Sequence, residues 1–372
     1  MRRFLPAILL AIGLATSPPA LAAPAEKVLI VVSGHGADGG KTRPGFEFDE
    51  FAQAYAVFRD NGLEVEVASP RGGRVEADEY DPAKPYNARV LADAKAMAAL
   101  SATRPTGTIR AGDHAAIFIV GGKGAMFDLP RDTALRKLLA ESHAAGRVIG
   151  AVCHGPAALV GVKRRDGTPL LAGVAATGFT NEEEALFGKR WSKDFPFLLE
   201  DALRAEGSRY AEAAIMLPFV QSGDRIVTGQ NPFSTSLAAD AVIRAMKKQP
   251  ASRATWTDER SLLLVARFLA GETEAVEREL TANPGQYDMP LIAMYGYSLT
   301  QVPAAEPDTL ANALAIMMLA EPHFAHPKLQ LAMADAEQRT GQAGPARARL
   351  EKLLARQPDL QEARAMLTDL AE

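Results

Sequence analysis

Three short, unbroken apolar runs constrain this chain most: residues 27–33 read KVLIVVS, 115–120 read AAIFIV and 147–152 read RVIGAV. Runs of this length without polar alternation fit strands covered on both faces, as in a parallel sheet. Parallel neighbours need long crossovers, and the intervening sequence supplies them. Residues 48–61 have helical periodicity and stop at Gly62; residues 63–69 (LEVEVAS) alternate as a further strand. A helix over 133–145 stops at Gly146, a later strand covers 225–228 and a closing helix 234–248. Strand alternating with helix predicts an α/β fold, a mostly parallel sheet with helices on both faces.

The 147–152 run leads directly into Cys153, the only cysteine among 372 residues. His154, Gly155 and Pro156 follow, and the spacing predicts a helix over 156–162. Strand, sharp turn and helix with a nucleophile at the turn make a nucleophile elbow, here with cysteine in place of serine. Gly150 and Gly155 would let the turn be tight. A helix N-terminus and free backbone N–H groups beside the sulfur would favour thiolate. The other reading is a buried structural cysteine; the flanking His154 and glycines weigh against it.

Beyond residues 247–252 the sequence offers helical patterns and no strand candidates. Residues 261–270 and 274–282, with Gly271 between and Pro284 after, form one helix-turn-helix unit. Residues 329–340 and 345–356, with Gly341 between and Pro358 after, form a longer one, with Ala332, Ala336 and Ala346 where helices would cross. The pattern is similar to degenerate tetratricopeptide repeats without most of their aromatic positions; a plain helical extension packed on the first domain is the alternative. The expected division is an α/β domain over 26–249 and an all-α domain over 255–372.

At the N-terminus, Arg2 and Arg3 precede an apolar run over 4–15, Pro18-Pro19 and Ala20-Leu21-Ala22. That order reads as a signal peptide over 1–22, with an uncleaved anchor or a buried first strand as the other readings. Cleavage would leave an exported protein outside the membrane, and a bacterial periplasm is the expected location. A single cysteine excludes an internal disulfide. A net charge of −4, from 41 basic and 45 acidic residues, argues against nucleic acid as the main partner.

Further motifs accompany Cys153-His154-Gly155-Pro156-Ala157. Gly45-Phe46 precede Glu50, with Tyr55 and Phe58 behind it. Ala68-Ser69-Pro70-Arg71-Gly72-Gly73 comes next. A glycine loop runs Gly121-Gly122-Lys123-Gly124-Ala125-Met126-Phe127-Asp128-Leu129-Pro130. Thr177-Gly178-Phe179-Thr180-Asn181 leads to Glu184, and Val227-Thr228-Gly229-Gln230-Asn231-Pro232 ends the series. In this order the chain resembles the ThiJ/PfpI family of the class I glutamine amidotransferase-like superfamily, in its branch of chaperones and glutathione-independent glyoxalases. The resemblance implies a flavodoxin-like sheet for the α/β domain and covers about residues 27–248.

The resemblance also implies roles. Cys153 is the nucleophile, Glu50 approaches its sulfur, His154 is the base or the thiolate's counter-ion, and Glu184 orients His154. Glu182 and Glu183 are adjacent to Glu184 and stay open as alternatives. Glu47 and Asp49 read as solvated helix charges. Gly122, Gly124 and the backbone after Cys153 are candidate oxyanion donors. Lys123 stands where the branch has histidine, adding positive charge that would redirect substrate preference toward acids. No Gly-Lys-Ser/Thr ending follows the glycine loop, so a phosphate loop is not expected. His35, His114 and His143 lack zinc spacing and read as surface or structural residues. The implied activity is cofactor-free conversion of a small reactive carbonyl, methylglyoxal to lactate, as a hydro-lyase. A holdase chaperone or redox sensor using the same cysteine, and a cysteine amidase or peptidase, are the alternatives. Peptide contact through the C-terminal helices and a homodimer are the further associations considered.

Overall fold

The computed structural model describes residues 26–188, 190–303 and 305–370, so the signal-peptide segment 1–22 lies outside the described residues. Nine strands are present among the described residues. Seven form one sheet: β1 (Lys27–Val31), β2 (Glu64–Ser69), β3 (Arg104–Pro105), β4 (Ala116–Ile119), β5 (Val148–Val152), β8 (Val220–Gly223) and β9 (Ile226–Gly229), in the order β3-β2-β1-β4-β5-β9-β8. All neighbours are parallel except β8 and β9. A two-stranded parallel sheet, β6 (Ala175–Ala176) with β7 (Arg209–Tyr210), lies apart. The predicted α/β architecture is therefore present. β1, β4 and β5 are fully buried over nearly their whole length, which is why their sequences read as unbroken apolar runs.

The Phe48–Asp60 and Thr235–Ala245 helices pack on one another, and the Thr133–Ala144 helix packs against β5. Asp132 caps the last of these, accepting from Ala134 N and Leu135 N. Phe51, Phe58, Phe118 and Ile149 are among the fully buried side chains that join sheet and helices in a single core.

The helix expected over 156–162 is a short 3₁₀ turn, Gly155–Leu159. Its bonds run from Ala157 N to the His154 carbonyl and from Val160 N to the Ala157 carbonyl. The turn is fully buried, and a β-carbon on Gly155 would meet the Ile119 carbonyl at 2.4 Å. Packed that tightly against β4, it has no room to widen into an α-helix.

Among the described residues seven α-helices follow: Thr257–Leu269, Thr273–Ala282, Met289–Thr300, Pro307–Ala320, Pro327–Arg339, Ala343–Arg356 and Gln361–Asp369. Ala332, Ala336 and Ala346 are buried as expected of helix crossings. No helix among the described residues is long and apolar enough to cross a membrane. The two halves do not meet at a simple linker. Ile215, Met216 and Leu217, from the α/β half, are buried in the core of the first helices, and Phe187 and Phe233 pack against that core. In the connecting segment the Arg253 guanidinium forms two 2.7 Å bonds to Glu259 and one of 3.2 Å to Asp240. Tyr86 donates to Asp258 at 2.6 Å across the same boundary.

Candidate active site

The end of β5 sets the site. Cys153 has φ +58°, a left-handed conformation that non-glycine residues rarely adopt. Two backbone bonds hold it there: Cys153 N donates to the Gly229 carbonyl at 2.9 Å, and Phe179 N donates to the Cys153 carbonyl at 3.0 Å. Gly121 makes the elbow possible, because a β-carbon there would lie 2.7 Å from His154 N and 2.8 Å from Cys153 Cβ. Gly122, at φ +84°, would meet the Glu47 nitrogen at 2.4 Å. The sharp turn and the glycine loop therefore require each other.

His154 Nδ1 lies 3.3 Å from the Cys153 sulfur and Nε2 lies 2.8 Å from Glu184 Oε2. All three residues are buried, and the His154 ring lies against Phe179, with centroids 4.5 Å apart. A carboxylate at Nε2 fixes the ring proton there and leaves Nδ1 as an acceptor facing the thiol. The alternatives next to Glu184 have other places. Glu183 completes a capping box with Thr180, and its Oε1 accepts from Met216 N at 2.8 Å and Asn231 Nδ2 at 2.9 Å. Glu182 is exposed.

Glu50 is fully buried, and its Oε2 accepts from Gly121 N at 2.6 Å. Its Oε1 is buried without a well-formed hydrogen bond, and the carboxyl interacts with the Cys153 thiol. Burial, then the Glu47 charge, pushes the Glu50 carboxyl well above the usual carboxylate range. Burial, then Glu50, also pushes the Cys153 thiol up, against the pull of the Gly122 N–H. This corrects the expectation of a thiolate stabilised by a helix N-terminus: the short 3₁₀ turn brings little dipole, and burial of the sulfur disfavours charge. Thiol and carboxyl form one coupled pair that resists holding two negative charges.

Three other expectations are corrected. Gly124 is not a free oxyanion donor, since its N–H is bonded to the Gly45 carbonyl at 2.9 Å; the Gly122 N–H is the loop donor that reaches the sulfur. Asp49 is not a solvated charge: it is buried, accepting from Asn87 Nδ2 at 2.6 Å and from Tyr86 and Lys84. Glu47 lines the thiol's cavity, where burial, then Asp49, pushes its carboxyl up to about 7 and Lys123 opposes the rise. The three scattered histidines are structural neighbours of other groups. His114 bonds Glu66, His143 bonds the Asp224 carbonyl, and His35 stacks on Phe127.

The cavity over the thiol measures about 250 Å³. Cys153, His154, Lys123 and Gly122 line it, as the sequence suggested. Glu183, whose carboxyl is pushed up to about 7 by burial, lines it as well. Phe187, Met216, Phe233 and Met294 complete its apolar wall. Of these four only Met294 comes from the C-terminal helices, and no local sequence signal marks it, because it reaches the cavity through the packing of the two halves.

Comparison with known proteins places these residues in context. Residues 42–245 match the model of the DJ-1/PfpI family. The chain is 33% identical over 238 residues to a protein named glutathione-independent glyoxalase hsp3101 of Schizosaccharomyces pombe, covering 59% of this chain and 95% of that one. It is 30% identical to glutathione-independent glyoxalase HSP31 of Saccharomyces cerevisiae, covering 60% of this chain and 98% of that one. The crystal structure of glyoxalase III from Candida albicans superposes with a TM-score of 0.55 at 27% identity, covering 59% of this chain and 97% of that one. The family match ends at residue 245, so the resemblance of the later helices to tetratricopeptide repeats rests on their sequence alone.

Proposed function

The chain belongs to the DJ-1/PfpI family, and from that premise we propose that it is a cysteine-dependent, glutathione-independent glyoxalase that converts methylglyoxal to lactate. One observation carries the reading. A buried Cys153–His154–Glu184 chain, with the Glu50 carboxyl beside the sulfur, opens into a cavity of about 250 Å³. That volume lies below the roughly 300–1,000 Å³ of pockets for drug-sized ligands and suits a substrate of a few heavy atoms.

The chemistry follows from the groups present. The sulfur adds to the aldehyde carbon as His154 Nδ1 takes the thiol proton, giving a hemithioacetal. The hydrogen on that carbon then leaves as a proton and is returned to the neighbouring carbon, whose carbonyl becomes a hydroxyl. The aldehyde carbon is oxidised, its neighbour is reduced, and the product is a thioester of a 2-hydroxy acid. Water cleaves the thioester, releasing lactate and regenerating the thiol. No outside oxidant or reductant enters. His154 and the Glu50 carboxyl are the two groups beside the sulfur able to carry protons in these steps, and the Gly122 N–H supports charge near the sulfur. Lys123 and Glu47 face the same cavity with opposite charge and would set the preference between neutral and acidic carbonyls. Basic residues 2–3, the apolar run and Ala20-Leu21-Ala22 support export of the mature chain, which N-terminal sequencing of the recovered protein tests.

The deciding experiment measures lactate formed from methylglyoxal without glutathione, for wild type and Cys153→Ser. Wild-type turnover lost in the variant supports the reading. A wild-type protein that forms no lactate removes it.

A further inference from the structure

We propose that the C-terminal helices form part of the active-site wall and that Met294, on the Met289–Thr300 helix, determines the size of carbonyl substrate that reaches Cys153. The substrate class rests on the glyoxalase reading; the control of access to the thiol does not.

Met294 lines the cavity that contains Cys153 and His154, although it lies well beyond the family match, which ends at residue 245. The wall around it is continuous with the helical half. Met216 is buried in the core that includes Leu262, Ile292 and Tyr295, and Phe187 and Phe233 pack against that core. Phe187, Met216 and Phe233 all line the same cavity as Met294. Glu183 ties this wall down by accepting from Met216 N at 2.8 Å, which helps to hold Met216 at φ +62°. The family domain therefore supplies the reactive groups and most of the apolar wall, while the helical half backs that wall and adds Met294 to it.

Met294 also lines a second cavity of about 300 Å³, together with Tyr297 and Phe324, so this one side chain is shared by both spaces. Its neighbours Ile292, Ala293 and Tyr295 are buried and anchor the helix, while Met294 itself is 46% exposed. Shortening this one side chain would merge the two spaces without disturbing the core. A bulkier side chain would narrow the approach to the sulfur.

Because Cys153 is the only cysteine, alkylation reports on it alone. The experiment uses the full chain as wild type, Met294→Ala, Met294→Trp and Met318→Ala; Met318 is an exposed methionine outside both cavities. Two ratios are measured. One is kcat/KM for phenylglyoxal over methylglyoxal. The other is the rate of Cys153 alkylation by an N-aryl maleimide over that by iodoacetamide. Met294→Ala should raise both ratios about tenfold, the scale of a few missing methylenes in an apolar pocket. Met294→Trp should lower both, and Met318→Ala should move neither. An alkylation ratio unmoved by either Met294 substitution overturns the proposal. If wild type converts neither aldehyde while the alkylation ratio shifts, the glyoxalase reading falls and the role of Met294 stands. If both aldehydes are converted and neither ratio shifts, the reverse holds.

Discussion

His154 presents Nε2 to Glu184 at 2.8 Å, with both side chains buried. The imidazole's other nitrogen then has one available task, accepting the thiol proton at 3.3 Å. Replacing Glu184 by glutamine keeps the shape but lets an amide N–H donate to Nε2, which turns the ring proton toward the sulfur. Glu184→Gln should therefore lower kcat by about 10²–10⁴, the scale of general acid–base catalysis, with little change in KM. Steady-state kinetics check this, with circular dichroism to confirm the fold. A variant within twofold of wild type would show that Glu184 does not orient the base.

The coupled pair makes a second prediction, with opposite signs for reactivity and turnover. Burial raises the Cys153 thiol first and Glu50 raises it further. Glu50→Gln removes the second cause, so alkylation of Cys153 at neutral pH should become faster. Turnover should fall, because a proton carrier beside the sulfur has been lost. The pH profile of iodoacetamide labelling measures the first effect. A profile unmoved, or shifted to higher pH, contradicts the coupling.

Glu47 links the site to stability. Its folded carboxyl titrates at about 7 against an ordinary 4.5, so the folded state holds this proton more tightly than the unfolded state. Stability from this group is fully present below about pH 4.5. It is lost as pH rises toward about 7, by at most about 3 kcal/mol. Glu47→Gln should flatten that part of the curve and make the protein more stable at pH 7.5. Urea midpoints at pH 4.5, 6 and 7.5 test it; a variant with the wild-type slope would place the effect elsewhere.

Arg253 joins the halves through Glu259 and Asp240, and all three side chains are largely buried. Arg253→Ala leaves two carboxylates without their cation and should cost about 3 kcal/mol. Chemical denaturation followed by tryptophan fluorescence is a sensitive readout, since Trp256 lies three residues away. A loss below about 0.5 kcal/mol, the scale of an exposed pair, would contradict the structural role.

Much of this was legible before any coordinates. Strands β1, β4 and β5 announce themselves because their residues are apolar on both faces. Cys153, His154, Glu184 and Glu50 stand in legible motifs, and the structure brings them together. β8 carries no strand signal in its sequence: VQSG is polar and sits at the sheet edge, where one side is unpaired and solvation is cheap. The helix after Cys153 was expected from residue types that also suit a 3₁₀ turn, and only its contact with β4 decides between them. Asp49 reads as a solvated helix charge because burial is a property of what packs above a helix, not of the helix.

The sequence by itself determined the elements, their alternation and the identity of the reactive group, since backbone periodicity and a strand-turn nucleophile are local properties. Tertiary structure alone decided which of three consecutive glutamates meets His154 and which backbone N–H is left for the sulfur. It also brought Met294, from a helix outside the family domain, to the wall above Cys153. Those outcomes depend on distances between segments far apart in the chain, and on how far their packing excludes water from charged groups. Neither quantity is written in any short stretch of residues.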